Sequence, residues 1–335
     1  MDREQEEMQF LGIFGIYKES YKIISTWRKI FTQITLALIL PLSFIFLAHI
    51  QISDLIFSDI IHDEIQLDQT QQGTTRYNKL NSLISSDWTY FWLFKIVYFT
   101  FLLIFSLLST AAVVYTIACI YTAKEITFAK IMSVVPKVWK RLMVTFLCIF
   151  AAVFAYNMVA VLLFFALAFL VWGTSFAFIS LLIFMILYFV GIVYMSIIWQ
   201  LASVVSVLEE ACGIQAMVKS KALIKGKIWM TSIIFFMLNV SLFIIQFAFE
   251  RLVVHGHRRS IGMVNRVSYG IICLLLLLMF FLFGLVIQTV IYFVCKSFHH
   301  ENIDKSALSD HLEVYLGEYV PLKAKDVQLE QLDHV

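Results

Sequence analysis

The sequence predicts an all-α, polytopic membrane protein: a helical bundle with six transmembrane helices. The chain has 335 residues, and 61% of them are apolar. Its 23 acidic and 25 basic residues lie almost wholly in short stretches between long apolar segments. One run, residues 142–208, has no formal charge over 67 residues. A charge at the centre of a bilayer costs about 2.5–3.5 kcal/mol or more, which accounts for this partition, whereas a soluble domain carries more charge.

The apolar segments define the spans. A transmembrane helix needs about 20 apolar residues. The six expected spans are 31–51, 90–121, 142–171, 176–207, 229–249 and 270–295. The uncharged run is too long for one helix and divides best at residues 172–175. Lys95 is the only charge that must lie within a span, and near the start of the second span its side chain can extend toward the surface.

The distribution of Lys and Arg predicts the orientation. Residues 1–30 carry five, 122–141 carry five and 208–228 carry four, whereas 51–89 carries two against six Asp and Glu. Because basic loops stay in the cytosol, we expect both termini and the two basic loops there, with the acidic 51–89 loop outside. The segment 250–269 conflicts with this rule, since it has four Arg and yet falls outside in the six-span arrangement.

Three basic segments resemble one another. They are residues 17–31, 128–142 and 216–229, and each precedes two spans. Each has a serine in a related place, namely Ser20, Ser133 and Ser220. In the second segment, helical spacing separates two faces. The polar face has Lys130, Ser133, Lys137 and Lys140, and the apolar face has Ile131, Val134, Val135, Val138 and Leu142.

This pattern predicts a threefold repeat of a cytosolic interfacial amphipathic helix followed by a transmembrane hairpin. Such helices lie in the headgroup plane, where each Lys or Arg near anionic lipid contributes about 1 kcal/mol. The candidate headgroup or partner contacts are Lys18, Lys22, Lys29, Lys130, Lys137, Lys140, Arg141, Lys221, Lys225 and Lys227. The alternative stays open that these are ordinary basic loops that happen to be helical.

Several segments carry a resemblance. Residues 11–20, 40–43, 120–125 and 135–142 together resemble a plant family of uncharacterised multi-pass membrane proteins, and the resemblance covers most of the chain. It implies an endomembrane or plasma-membrane location.

A looser resemblance links residues 208–213, Ala216, Ser220 and 225–229 to the membrane domain attached to some bacterial glycerophosphodiester phosphodiesterases. The similarity is to that membrane domain alone, so it implies no phosphodiesterase activity.

The sequence lacks the common signatures of catalysis. It has no G-x-S-x-G, Walker loop, metalloprotease helix or intramembrane Asp pair. Its five cysteines form no C-x-x-C. We therefore expect no enzyme, no cofactor and no metal site.

Five amides are the strongest polar groups expected within the spans. They are Asn157, Gln200, Asn239, Gln246 and Gln288. Amides in spans form hydrogen bonds between helices worth about 0.6–2 kcal/mol each. They also suit the lining of a path for an uncharged solute, so both roles stay open.

The functional expectation follows from these features. The three parts are a cytosolic N-terminal segment (1–30), the membrane domain (31–295) and a cytosolic tail (296–335). The leading hypothesis is a non-enzymatic protein that organises membrane or accompanies trafficking through its basic helices, with membrane lipids, anionic headgroups included, as partners. The alternative is a transporter or channel for a neutral or amphipathic solute. A net charge of +2 argues against nucleic acid, and a protein partner or homo-oligomer stays open.

Overall fold

The computed structural model describes residues 8–71, 73–122, 126–256 and 262–299. Within these ranges the chain forms helices and turns and no strand. The α-helices are α1 (Ile13–Thr26), α2 (Arg28–Ile34), α3 (Leu40–Asp68), α4 (Thr75–Tyr121), α5 (Phe128–Leu170), α6 (Ala177–Leu208), α7 (Ile214–Ile224), α8 (Ile228–Phe249) and α9 (Met263–Phe298). Two π-helical turns, Thr35–Ile39 and Glu250–Val254, continue α2 into α3 and extend α8.

Six helical stretches in the described part of the chain are long and apolar enough to cross a membrane. They are Arg28–Asp68, Thr75–Tyr121, Phe128–Leu170, Ala177–Leu208, Ile228–Val254 and Met263–Phe298. The predicted class, an all-α polytopic bundle, is therefore confirmed. The long uncharged run divides at Gly173, whose φ of 76° is the left-handed conformation that glycine adopts without strain.

The first two spanning helices extend well past the expected spans. Helix α4 has 47 residues, so at 1.5 Å per residue it is about 70 Å long, against about 30 Å for a hydrocarbon core. The expected acidic loop, 51–89, is instead mostly a helical hairpin formed by the end of α3 and the start of α4. Trp88 Nε1 donates to Glu64 Oε1 across the hairpin at 3.4 Å, and the rings of Phe57 and Phe91 lie 6.3 Å apart.

Local sequence explains why this acidic stretch is helical. The apolar side chains of Ile60, Leu80 and Ile84 are buried, and the last two are spaced four residues apart on one face of α4. Thr74 caps α4, since its hydroxyl accepts a hydrogen bond from Tyr77 N at 3.2 Å. The acidic residues therefore mark a solvated face of the hairpin and not an irregular loop.

Lys95 turns toward the neighbouring helix and not simply toward the surface. Its Nζ lies 2.7 Å from His49 Nε2 and donates to Ser53 Oγ at 3.0 Å. The ammonium also lies 5.0 Å from the centre of the Phe91 ring, and the His49 ring stacks on Tyr98 at 3.6 Å. Lys95 is 26 residues from the end of α4, or about 39 Å along the helix.

The described residues of the basic segment 250–269 (250–256 and 262–269) lie at the same end of the bundle as the α3–α4 hairpin, which we call the distal end. His255 Nε2 is 3.5 Å from Asp54 Oδ1, so the turn after α8 contacts α3 directly. This is the placement that six antiparallel spans require. Two of the segment's four arginines, Arg258 and Arg259, lie outside the described residues.

Thiol labelling can test this arrangement in sealed vesicles. With the partly exposed Cys148 and Cys212 replaced by Ser, single cysteines are introduced as Gly262→Cys, Asn78→Cys and Lys225→Cys, all at exposed positions. An impermeant thiol reagent should label the first two from one side and the third only from the other. If Gly262→Cys is labelled together with Lys225→Cys, the distal end is wrongly assigned.

The tightly packed core is concentrated in the half of the bundle away from the distal end. Nearly every residue of 111–119, 201–208 and 286–295 is buried there. In contrast, the α5–α6 hairpin exposes many large apolar side chains beyond this half, as expected for lipid contact in a span. The rigid part of the fold is therefore the half that carries the basic segments.

Candidate functional site

The basic segments meet at one end of the bundle, which we call the basic end. Helix α1 packs on α9, α7 packs on α6 and α5, and the start of α5 packs on α4. The ends of α6 and α9 complete the group. Residues far apart in sequence are therefore brought together at the end opposite the distal hairpin.

Helix α1 contributes the first basic segment. Its buried side chains are Ile16, Glu19, Ser20 and Ile23, and the ring of Tyr17 lies 5.8 Å from that of Phe283 on α9. The opposite face exposes Lys18 and Lys22. Lys29, expected on the same helical face, is also exposed but lies on α2, after a break at Trp27.

The second basic segment is not a separate helix. Residues 128–142 are the first turns of α5, which continues through Pro136 into the span without interruption. The five apolar residues of its predicted apolar face are all buried against the rest of the protein. Lys137 and Lys140 are exposed on the other side, whereas Lys130 is partly buried.

The third basic segment forms the short helix α7. Its buried residues are Ala216, Ser220, Leu223 and Ile224, and Ser220 donates to the carbonyl of Ile198 on α6 at 3.0 Å. Lys221 is exposed on its outer side, and Lys225, the C-cap residue that follows the helix, is exposed too. In all three segments the apolar face packs on the bundle, so any lipid contact must use the outer face.

Burial corrects the register of the proposed repeat. Ser20 and Ser220 occupy matching buried positions, four residues after the buried Ile16 and Ala216. Ser133, expected to be their equivalent, is exposed and donates to its own helix at Lys130 O. The position four residues after buried Ile131 is Val135.

A glutamate that the sequence did not single out joins these elements. Glu209 directly follows α6 and its side chain is 12% exposed. Its carboxylate pairs with Lys219 Nζ of α7 at 2.5 Å and with Lys296 Nζ of α9 at 3.1 Å, and it accepts a hydrogen bond from the Tyr292 hydroxyl at 2.5 Å. Arg141 of α5 donates to the Glu209 carbonyl oxygen. We call these five residues the Glu209 cluster.

The environment of Glu209 favours its charged form. Burial alone raises the pKa of the carboxyl, but hydrogen bonds from Lys219 and Tyr292 and the charge of Lys296 outweigh burial and hold the pKa below its ordinary value. The carboxylate is therefore ionised at neutral pH. It is the counter-ion of two ammonium groups that are partly removed from water.

The turn between α6 and α7 is fixed by a second set of hydrogen bonds. Thr145 of α5 bonds to Ser206 through their hydroxyl groups at 2.7 Å, and Gly213 N donates to Thr145 Oγ1 at 2.8 Å. Gly213 has φ 60° and ψ −129°, a conformation that other residues rarely adopt. The direction of α7 therefore depends on a glycine and a buried threonine.

The ten basic residues proposed as contacts fall into two groups. Seven are exposed: Lys18, Lys22, Lys29, Lys137, Lys140, Lys221 and Lys225. The other three are partly buried: Lys130, Arg141 and Lys227. Arg141 belongs to the Glu209 cluster, and Lys227 donates to Gln9 O at 2.9 Å and lies over the Phe298 ring, so both are directed into the protein.

Large apolar side chains are exposed beside these lysines. Phe14 on α1 is 89% exposed and Trp229 at the start of α8 is 82% exposed. Tyr21, Ile214 and Val218 are also exposed at the same end. The basic end therefore presents cations interleaved with aromatic and aliphatic groups.

Amides take part in hydrogen bonds between helices at two of the helix contacts. The Tyr188 hydroxyl donates to Asn157 Oδ1 at 2.8 Å and links α6 to α5. Gln288 Nε2 on α9 donates to Gln200 O at 2.6 Å and to Ser203 Oγ at 2.8 Å, both on α6. Asn239 Nδ2 bonds only within its own helix, to Phe235 O at 2.7 Å.

The described residues contain no group of three His, Cys, Asp or Glu side chains that could hold a metal ion. Among the described residues, the basic end has seven exposed ammonium groups. Such a surface can bind anions.

The fold and this surface define the class as a polytopic helical membrane protein with a rigid basic end. The chain belongs to the family of the domain of unknown function DUF8558, which matches residues 1–332. No curated protein and no solved structure matches it.

Proposed function

We propose that this is a non-enzymatic membrane protein whose basic end faces the cytosol and binds anionic lipid headgroups. The supporting observation is the exposure of seven lysines at one end of the bundle, six of them on α1, α2, α5 and α7 and the seventh, Lys225, directly after α7. On this proposal the protein organises membrane or accompanies trafficking in an endomembrane or the plasma membrane.

The geometry supports headgroup binding because the lysines are carried by rigid elements. Lys221 lies on the outer side of a helix whose inner side is buried, and Lys225 is the residue that caps the end of this helix. The Glu209 cluster holds that helix through Lys219. Their charges are therefore presented without ordering a flexible loop, and each contributes about 1 kcal/mol near an anionic surface.

The exposed apolar side chains of the basic end also support headgroup binding. Phe14 and Trp229 are too exposed to stabilise the fold by burial in the protein. Aromatic groups are favoured at the membrane interface, where the ring is shielded from water beside polar headgroups. A headgroup layer accommodates cations beside aromatic groups.

Native mass spectrometry of the full-length, detergent-solubilised protein can measure this binding. The variant Lys221→Gln/Lys225→Gln removes two exposed charges and should weaken phosphatidylserine binding by about 2 kcal/mol, or roughly 30-fold in the apparent dissociation constant. Binding of phosphatidylcholine should be unchanged.

The matched control removes two exposed basic residues from the distal end. Arg76 and Lys79 lie on the start of α4 and are exposed, and the variant Arg76→Gln/Lys79→Gln should bind phosphatidylserine as the parent protein does. Equal weakening in both variants would mean that net charge and not the basic end determines binding. No weakening in either would overturn the proposal.

A further inference from the structure

A crevice between three spanning helices brings three amides together. It has a volume of about 170 Å³ and lies between α6, α8 and α9. Its polar lining is Gln200, Asn239 and Gln288, and the rest of its wall is Leu238, Leu242, Phe280, Phe281, Gly284 and Leu285. Three of the five amides expected in the spans thus share one site.

The crevice lies below the level of the basic end. Gln288 is eight residues from Lys296, Gln200 is nine from Glu209, and Asn239 is twelve from Lys227. At 1.5 Å per residue these separations are about 12–18 Å along the helices. The amides therefore lie within the apolar stretches of three candidate spanning helices, and in a bilayer water does not satisfy polar groups at such positions.

Two of these amides keep a side-chain oxygen that can accept a hydrogen bond from a ligand. Gln288, only 7% exposed, donates from Nε2 to Gln200 O and Ser203 Oγ. Asn239 donates from Nδ2 to Phe235 O. Among the described residues, no donor reaches Gln288 Oε1 or Asn239 Oδ1. An acceptor without a donor is costly in an apolar medium, so a ligand that stabilises this site should supply a hydroxyl proton.

We propose that this crevice binds the hydroxyl end of a neutral lipid. The ligand's O–H donates to Asn239 Oδ1 or Gln288 Oε1, and its apolar body follows Leu238, Phe281 and Leu285 into the bilayer. The lining has no Lys, Arg or His, so a phosphate headgroup is not suited to it. Sites that enclose a whole ligand have volumes of about 300–1,000 Å³. The smaller volume of this crevice fits a site that holds only one end of a lipid.

A second crevice in the bundle provides an internal contrast. It lies between α5 and α6, has about 370 Å³ and is lined mainly by Phe, Val and Ala side chains. Its Asn157 and Tyr188 already bond to each other. The larger crevice therefore offers space without an acceptor that requires a partner, and the smaller one has both.

Two substitutions test the proposal without removing a contact between helices. Asn239→Leu replaces the acceptor by an apolar side chain of similar size, and its only described side-chain bond is within α8. Gly284→Leu fills the crevice, since a Cβ at Gly284 meets nothing within 4 Å. The matched control is Gln246→Leu, which removes an amide from the same helix as Asn239 but outside the crevice lining.

The experiment is photo-crosslinking of the full-length protein in phosphatidylcholine nanodiscs. Three diazirine probes are compared: a sterol, a diacylglycerol and a phosphatidylcholine without a free hydroxyl. At least one hydroxyl probe should label peptides of α8 or α9 around the crevice more strongly than the phosphatidylcholine probe. Loss of one hydrogen bond should reduce that labelling about threefold to tenfold in Asn239→Leu, Gly284→Leu should reduce it as well, and Gln246→Leu should leave it unchanged.

Comparison of the three probes identifies the class of lipid, and a variant of the basic end separates the two proposed sites. Labelling by only the sterol, or only the diacylglycerol, assigns the class of lipid. Equal labelling by all three probes, no labelling near the crevice, or labelling unchanged in both test variants would overturn the proposal. Lys221→Gln/Lys225→Gln should not alter the labelling. A negative result at the crevice therefore does not affect headgroup binding at the basic end, which the phosphatidylserine measurement tests separately.

Discussion

Replacing Glu209 with glutamine is expected to lower the free energy of unfolding by about 3–5 kcal/mol. The carboxylate is the common partner of Lys219, Lys296 and Tyr292. Glutamine keeps the shape but removes the charge, so two ammonium groups lose their counter-ion. Lys296 is the more affected because its side chain is 18% exposed, whereas that of Lys219 is 38% exposed.

The measurement is unfolding of the full-length protein in detergent, followed with a thiol-reactive dye. Cys295 precedes Lys296 and is fully buried, so its reaction reports loss of the packed basic end. The control is Glu210→Gln, which makes the same chemical change at the exposed neighbour and should cost less than about 0.5 kcal/mol. If both variants unfold alike, the Glu209 cluster does not stabilise the fold.

Acid should reproduce the effect of the substitution. The pKa of folded Glu209 is below its ordinary value of 4.5, because hydrogen bonds and nearby cations outweigh the opposing effect of burial. Its stabilisation is therefore fully present above the ordinary pKa and is lost as pH falls from there through the lower pKa of the folded state. The parent protein should lose more stability than Glu209→Gln between about pH 5 and pH 3.

The spans were predictable from sequence because a bilayer makes charge position a strong signal. The separation of charged from apolar segments is visible in the order of the residues alone, and the six long apolar helices follow it. The helical hairpin of α3 and α4 was not predicted, since its acidic residues dominate the local composition. The helical spacing of buried Leu80 and Ile84 was the signal that could have revealed it.

The candidate site was predictable only in part. The lysines of the basic segments were visible, and so was the apolar face of 128–142, because both depend on spacing within one helix. Glu209 was not recognised because its partners are 10, 83 and 87 residues away in sequence. Its membership of the motif 208–213 was the available signal, but a motif does not tell which of two adjacent glutamates turns inward.

Ser133 shows a related limit. Its distance from the following basic cluster resembles that of Ser20 and Ser220, yet burial aligns Val135 with those serines. A shift of two residues rotates a helical position by about 200°, which exchanges buried and exposed faces. The distance from a serine to a basic cluster could not align the three segments, because lysines on a solvated face can shift along the helix without loss of packing.

Gly213→Val is expected to be the second most damaging change, at about 3 kcal/mol. Gly213 has φ 60° and ψ −129°, and a β-branched side chain strongly disfavours positive φ. A Cβ there would also lie 3.2 Å from Cys148 Sγ, so neighbouring atoms must shift. Unfolding of the full-length protein in detergent gives the loss of stability, and altered Cys148 reactivity reports the local displacement.

Gly12→Val is the matched control because Gly12 also directly precedes a short basic helix. Its φ of −85° and ψ of −176° are extended backbone that valine adopts readily, and a Cβ at this position meets nothing within 4 Å. Both substitutions replace an N-cap glycine by valine. The difference between their losses of stability therefore reports the backbone conformation at Gly213. A difference below about 1 kcal/mol would show that the turn relaxes without strain.

The two stability predictions should also be coupled. Gly213 sets the direction of α7, and α7 carries Lys219 to the Glu209 carboxylate. If valine at position 213 displaces that helix, the ion pair with Lys219 is already lost. Gly213→Val combined with Glu209→Gln should then cost at least about 0.5 kcal/mol less than the sum of the single changes. Strict additivity would show that α7 keeps its place when the turn is strained, and that the exposed Lys221 and Lys225 are positioned by helix packing and not by the turn.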